Sequence, residues 1–166
     1  MKDISNKNNS IFKNISKLLF KNNKRKASNS FIVEGIKDIN LCLNYGFEFI
    51  EIIICSELIS NQNINYIDTN FNNVVVYNFS LKLYQELIYK KKGDGLLALI
   101  KSKDNSLKNF KISKNPYILI AESPEKPGNI GALLRTADAA GLDGLIIANL
   151  KTELYNPNAI RSSLGR

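Results

Sequence analysis

The chain has 166 residues, 44% of them hydrophobic, and a net charge of +8, which suits one ordinary globular domain, or one small domain with part of another. The absence of histidine excludes histidine triads, histidine metal sites and histidine general bases, and no metal site is expected. Cys42 and Cys55 lack CxxC spacing and read as small buried thiols in a reducing compartment; with no signal-peptide pattern and no membrane-length apolar run, a cytoplasmic protein without a membrane partner is expected.

Residues 1–10 are polar and read as frayed. Residues 1–30 hold eight basic residues against Asp3 alone, so +7 of the charge sits there and the remainder of the chain carries +1. A local basic field attracts polyanions, and RNA, DNA and acidic membranes all stay open, as does a solvated lysine-rich tail. "SIFKNISKLLFKNNKRK" (10–26) spaces Ile11, Ile15, Leu18 and Leu19 as a basic amphipathic helix would. "SFIVEG" (30–35) reads as a strand, and "IKDINLCLNYG" (36–46) as a helix with Ile36, Ile39 and Leu43 inward and Gly46 at its C-terminal cap. "FEFIEIIICS" (47–56) reads as a strand that becomes fully apolar, as a buried strand does.

After a short helical or irregular stretch, "VVVYNFS" (74–80) reads as a strand ending on a serine able to cap the helix "LKLYQELIYKK" (81–91). "GDGLLALIK" (93–101) reads as a further strand. These elements predict a compact α/β domain over residues 1–104. Residues 105–115 are polar and read as a linker. From Pro116 a second unit follows: strand "YILIAES", a glycine-bearing turn, helix "IGALLRTADAAG" (130–141) and strand "LDGLIIANL", one βαβ unit. "YNPNAIRSSLGR" opens another helix, with Asn156 as cap and Pro157 in its first turn. Two parallel strands expose both edges and much of both faces, so this second domain is expected to be cut short.

The turn "PEKPGNIGALLR" raises the functional question. Gly128 and Gly131 permit close backbone approach, and a helix N-terminus beyond the carboxyl end of a strand suits an electron-rich ligand. No Walker pattern and no GxGxxG is present, and the GxxG of "GNIG" follows a strand rather than a helix. The wheel gathers Ile130, Leu133, Leu134, Ala137 and Gly141 into one stripe and puts Arg135 off it. Arg135 then reads either as part of an anion site or as an exposed arginine near Asp138, and Asn129 either as a site residue or as a turn residue.

"AESPEKPGNIGALLRTADAAGLDGLIIAN" (121–149) closely resembles the first motif of the SpoU/TrmH-type RNA 2'-O-ribose methyltransferases of the SPOUT superfamily. "YNPNAIRSSLGR" is similar to that family's next segment. "KLLFKNNKRKASNSFIVEGIKDI" resembles the ribosomal-protein-like α/β substrate-binding domain that often precedes the catalytic one, with its basic helix and Phe-x-Val-Glu-Gly. Together these cover nearly the whole chain.

The resemblance implies an α/β fold: a small substrate-binding domain, then the first part of an α/β-knot domain whose knot-forming segment is missing from these 166 residues. It implies methyl transfer from S-adenosylmethionine to a ribose 2'-hydroxyl of rRNA or tRNA, without metal. Asn129 matches the motif asparagine that positions the nucleotide, and Arg135 the arginine that activates the 2'-hydroxyl, as an unusual base or by charge on the developing alkoxide. Glu122 matches an acidic position of the motif. Lys17, Lys21, Lys24, Arg25, Lys26 and Glu34 in the first domain, with Gly128 and Gly131 in the second, are the implied RNA contacts. The donor-pocket motifs of the family are absent, so no donor-binding residue is assigned and the chain itself is expected neither to bind S-adenosylmethionine nor to turn over. The family forms homodimers through its catalytic domain. The alternative is a non-catalytic RNA-binding module or a decayed fragment.

Overall fold

The computed structural model describes residues 1–88 and 93–163. It divides into two compact units, Met1–Ser102 and Lys103–Arg166. The sequence reading ends the first domain at 104 and sets a linker over 105–115. In the structure that polar stretch belongs to the second unit.

The first unit is built on a five-stranded sheet of β1 (Lys2–Ile4), β2 (Ser30–Glu34), β3 (Phe49–Ile54), β4 (Val75–Phe79) and β5 (Leu96–Lys101), in the order β1-β4-β3-β5-β2. Strands β1, β4 and β3 run parallel, whereas β5 lies antiparallel to both β3 and β2. Because side chains alternate along a strand, each strand feeds two cores. On one face Ile32, Ile53, Cys55, Phe79, Leu97 and Leu99 pack against α1 (Ser10–Phe20) and α5 (Leu81–Gln85) through Phe12, Ile15, Leu18, Leu19, Leu83 and Tyr84. The opposite set includes Phe31, Ile52 and Ile54, all buried. Phe31 meets Phe47, and Phe71, just after α4 (Asn61–Asn70), meets both Phe49 of β3 and Tyr66 of α4. The Tyr66 hydroxyl donates to Asn40 Oδ1 of α3 (Ile36–Asn44), joining the two helices. β5 is apolar along its length because it has neighbours on both sides and is buried from Leu96 to Ile100.

Several elements differ from the sequence reading. The tail read as frayed contains β1: Lys2, Asp3 and Ile4 pair with Tyr77, Asn78 and Phe79, and Ile4 enters the core. The open edge of β4 supplies the partner, which no local pattern in "KDI" could announce. The single helix read over 10–26 is two helices, because Lys21 adopts extended backbone (φ −123°, ψ 111°) between α1 and α2 (Asn22–Ser28). Two asparagines at the break weaken helix continuation. Ser80 does not cap α5 with its side chain; Glu57 Oε2, from a distant loop, accepts the Leu81 N–H at 2.9 Å. The helix read over 81–91 is described to Gln85, and residues 89–91 lie outside the described part. Gly46 does follow α3 with φ +66°, where the Phe47 N–H returns to Cys42. Cys55 is buried and burial raises its thiol, while Cys42 is half-buried.

The second unit contains β6 (Ile118–Glu122), α6 (Pro127–Ala139), β7 (Gly144–Ala148) and α7 (Pro157–Ser163). β6 and β7 are parallel in a two-stranded sheet, Ile118 opposite Gly144 and Glu122 opposite Ala148. The stretch read as a linker is fastened at three points. Phe110 lies on Gly144, where a Cβ would stand 2.5 Å from a ring carbon. Asp143 accepts the N–H groups of Tyr117 at 2.8 Å and Ser113 at 3.3 Å, which hold its carboxyl below the ordinary aspartate range. Tyr155 Oη accepts from the Lys103 N–H and from Asn105 Nδ2, both at 3.1 Å.

On β3, Glu51 has Oε2 buried without a hydrogen-bond partner among the described residues, and burial raises its carboxyl above the ordinary range. The folded state therefore holds this proton more tightly than the unfolded chain. The contribution to stability is complete below the ordinary glutamate range and is lost as pH rises through the raised value. Glu51→Gln is expected to match the parent melting temperature near pH 4 and to exceed it increasingly toward pH 8, followed by circular dichroism.

Candidate active site

The candidate residues fall into one group in each unit. In the second unit they depend on how α6 begins. The sequence reading starts this helix at Ile130, but the structure starts it at Pro127, with the Asn129 N–H donating to the Lys126 carbonyl at 2.9 Å. Proline tolerates the first helical position because its missing N–H would have no partner there. Gly128 and Asn129 thus lie within the first turn of α6 rather than in the loop before it.

The inward face of α6 buries Ile130, Gly131 and Ala137, with Leu133 and Leu134 half-buried. Gly141, read as part of that stripe, is exposed beyond the helix with φ +65°, and Leu142 N–H returns to the Ala137 carbonyl at 2.9 Å to close the end. Asn129 and Arg135 are both exposed. On an ideal helix they are roughly 120° apart and separated by about 9 Å along the axis. Arg135 lies nearly above Gly128, about 20° and two turns away. Helical side chains lean toward the N-terminus, so Arg135 leans toward the glycine that leaves its own face bare.

The two glycines, paired as RNA contacts in the sequence reading, differ here. A Cβ on Gly128 would meet nothing within 4 Å. A Cβ on Gly131 would collide with Ser162 Oγ and stand 2.6 Å from the Ser163 backbone nitrogen. Gly131 is buried against α7, so it is removed from the candidate RNA contacts and serves the approach of two helices. In α7 Ala159 is also buried, 1% exposed, and Asn156 and Pro157 open the helix as expected: Asn156 Oδ1 accepts the Asn158 N–H at 2.9 Å.

At the carboxyl ends of β6 and β7 is a group for which the sequence named one member. Glu122 Oε1 accepts from Asn149 Nδ2 at 2.6 Å and from Ser123 Oγ at 3.0 Å, and these donors hold its carboxyl below the ordinary range, Asn149 first. Ser123 and Asn149 were not singled out by sequence. Their common signal is a polar residue directly after an apolar strand.

In the first unit Lys17, Lys21, Lys24 and Lys26 are exposed on α1, α2 and the break between them. Arg25 departs from this set. It is 4% exposed, and its Nη1 donates to the carbonyls of Leu18 at 2.6 Å and Leu19 at 3.1 Å. A cation satisfying the carbonyl end of α1 is a structural group, so Arg25 is removed from the candidate phosphate contacts. Glu34 is half-buried at the end of β2, before Gly35 (φ +94°). A groove of about 400 Å³ in this unit is lined by Met1, Lys2, Ile67, Asp68, Phe71 and Val75 among others, and no candidate residue borders it. Among the described residues there is no cluster fit to hold a metal ion and no helix long and apolar enough to cross a membrane.

Comparison with known proteins agrees with this division. Residues 8–98 match the MRM3-like substrate binding domain, and residues 116–166 match the SpoU rRNA Methylase family. The chain is 26% identical over 159 residues to the 23S rRNA (uridine(2479)-2'-O)-methyltransferase of Streptomyces viridochromogenes, covering 95% of this chain and 55% of that protein. A solved RNA 2'-O ribose methyltransferase is 28% identical with a TM-score of 0.81, covering 98% of this chain and 61% of that one. The SpoU methyltransferase AviRb of Streptomyces viridochromogenes, solved with AdoMet, superposes with a TM-score of 0.86 at 24% identity, over 95% of this chain and 59% of that one. The mixed α/β fold is therefore shared, and the chain spans somewhat more than half the length of these relatives.

The contrast between the two glycines is testable by urea denaturation. Gly131→Ala is expected to destabilise the second unit by about 1–3 kcal/mol, because helix backbone must move to admit the methyl. Gly128→Ala is expected to stay within about 1 kcal/mol of the parent, on the stabilising side, because it adds helix propensity in open space.

Proposed function

Since the chain belongs to the SpoU rRNA methylase family, with an MRM3-like substrate binding domain ahead of its methylase segment, we propose that the whole protein methylates a ribose 2'-hydroxyl of ribosomal or transfer RNA, with S-adenosylmethionine as donor. The observation that carries this reading is the placing of two exposed polar side chains, Asn129 and Arg135, on the helix that opens just beyond the carboxyl end of β6.

In this reading the first unit holds RNA through the phosphates, by Lys17, Lys21, Lys24 and Lys26 on α1, α2 and the break between them. Asn129 orients the nucleotide with its side-chain amide, which both donates and accepts. Arg135 acts by charge: an exposed guanidinium is suited to stabilise the alkoxide that forms as the 2'-hydroxyl loses its proton. Gly128, with no side chain on the same helical face, leaves room for the ribose on the N-terminal side of Arg135. Glu34 keeps its place as a candidate RNA contact at the end of β2.

The residues described at the strand ends do not fit a methyl-donor site. The single carboxylate oxygen that Glu122 presents to its neighbours already takes both Asn149 and Ser123, and these polar groups provide no apolar slot for an adenine. That observation favours a second reading for the 166-residue chain alone, RNA binding without transfer. A cytoplasmic location accords with the buried thiol of Cys55, and a homodimer through the second unit accords with the exposed Tyr117, Ile120 and Leu150.

Two measurements separate these readings. Changing Lys17, Lys21, Lys24 and Lys26 to Gln is expected to weaken RNA binding and to flatten the plot of log affinity against log salt by about 0.7–0.9 for each phosphate no longer neutralised. In protein purified from its host, Arg135→Ala is expected to lower radiolabelled methyl transfer to rRNA by about 10²–10³-fold with RNA affinity retained. Parent protein that binds RNA but transfers no methyl would establish the second reading.

A further inference from the structure

We propose that Glu122 is a positioning residue that anchors the entry to α6, so that Asn129 is held between two fixed points. The inference rests on the reading of Asn129 as the nucleotide-orienting group.

The geometry begins at the ends of the two parallel strands. Glu122 closes β6 opposite Ala148, the last residue of β7. The next residue in each chain segment, Ser123 and Asn149, leaves its strand in left-handed backbone, at φ +50° and +48°. Asparagine visits this region readily, whereas serine does so at a cost, which implies that surrounding groups hold it there. Hydrogen bonds do so. The Ser123 N–H donates to the Ala148 carbonyl at 2.9 Å, extending the ladder by one bond beyond β6. Ser123 Oγ and Asn149 Nδ2 both donate to Glu122 Oε1, at 3.0 and 2.6 Å. One carboxylate oxygen thereby fixes the departure of both segments and ties the two strand ends together.

Only Pro124, Glu125 and Lys126 then separate Ser123 from the first residue of α6. Pro124 and Pro127 each have φ restricted by the ring, so the connection has few ways to relax. Beyond it, Gly131 is pinned by its contact with Ser162 and Ser163. Asn129 lies between the Glu122 anchor on one side and the Gly131 anchor on the other. Glu122 itself is exposed. Its removal therefore leaves no cavity, and the effect is expected to be confined to the loop.

Amide hydrogen exchange on the 166-residue chain, followed by NMR without RNA or donor, tests the anchor. Glu122→Ala and Asn149→Ala are each expected to speed exchange by about five-fold at the hydrogen-bonded amides of Ser123 and Asn129. The double variant should be no faster than Glu122→Ala, because that change already removes the bond to Asn149 together with the one to Ser123. Glu122→Gln should restore most of the protection, since its amide oxygen can still accept from Asn149. Protection at Ile146 and the melting temperature should not change, which a general loss of stability would not permit. Unchanged exchange in Glu122→Ala, additive effects in the double variant, or loss of protection throughout the unit would each overturn the inference. These measurements need no catalysis, so their failure would leave the proposed function standing. Absence of methyl transfer would overturn that function and leave the anchor standing.

Discussion

At Gly131 the backbone of α6 comes so near that of α7 that even a methyl group would overlap Ser162. This contact decides which side of α6 faces inward. With Ile130, Gly131 and Ala137 committed to burial, Asn129 and Arg135 have only the open side available. A polar pair on a helix becomes a site when its direction is fixed, and here a glycine in an ordinary helical conformation fixes it. The requirement at Gly131 is one of space.

The same principle, that position is set by groups which perform no chemistry, recurs at the strand ends and in the first unit. Glu122, Ser123 and Asn149 join the departures of β6 and β7 through one oxygen atom. In the first unit Arg25 directs its charge to the carbonyls that α1 leaves unpaired at its end. That use allows the chain to break at Lys21 and start α2, which keeps Lys17 and Lys21 exposed on one side of the bend and Lys24 and Lys26 on the other. One buried cation thus supports the arrangement of four exposed ones.

The legibility of the chain followed the range of the interactions concerned. Helix α3, its glycine end and the opening of α7 at Asn156–Pro157 rest on contacts within a few residues, and the buried strands β3 and β5 announce themselves by short apolar runs although their partners are distant, so a one-dimensional reading finds all of these. β1 was invisible because its three residues are a strand only beside β4, more than seventy positions later. The capping of α5 by Glu57 and the fastening of 105–115 by Phe110, Asp143 and Tyr155 escaped for the same reason. In these cases the polar composition was read correctly and its partners could not be known.

For the candidate site, the sequence by itself determined which chemistry is present: a Pro-Gly-Asn turn after a strand, an arginine two turns along the helix, and a lysine-rich segment at the start of the first domain. Residue type and short spacing are local quantities, and they were enough to point to the family. Tertiary structure alone decided which of these groups are available to a ligand. It withdrew Arg25 into the interior and Gly131 into a helix contact, and it brought Asn149 to Glu122 across 27 positions of chain. Availability depends on what else occupies the surrounding space, and that is settled only when distant segments meet.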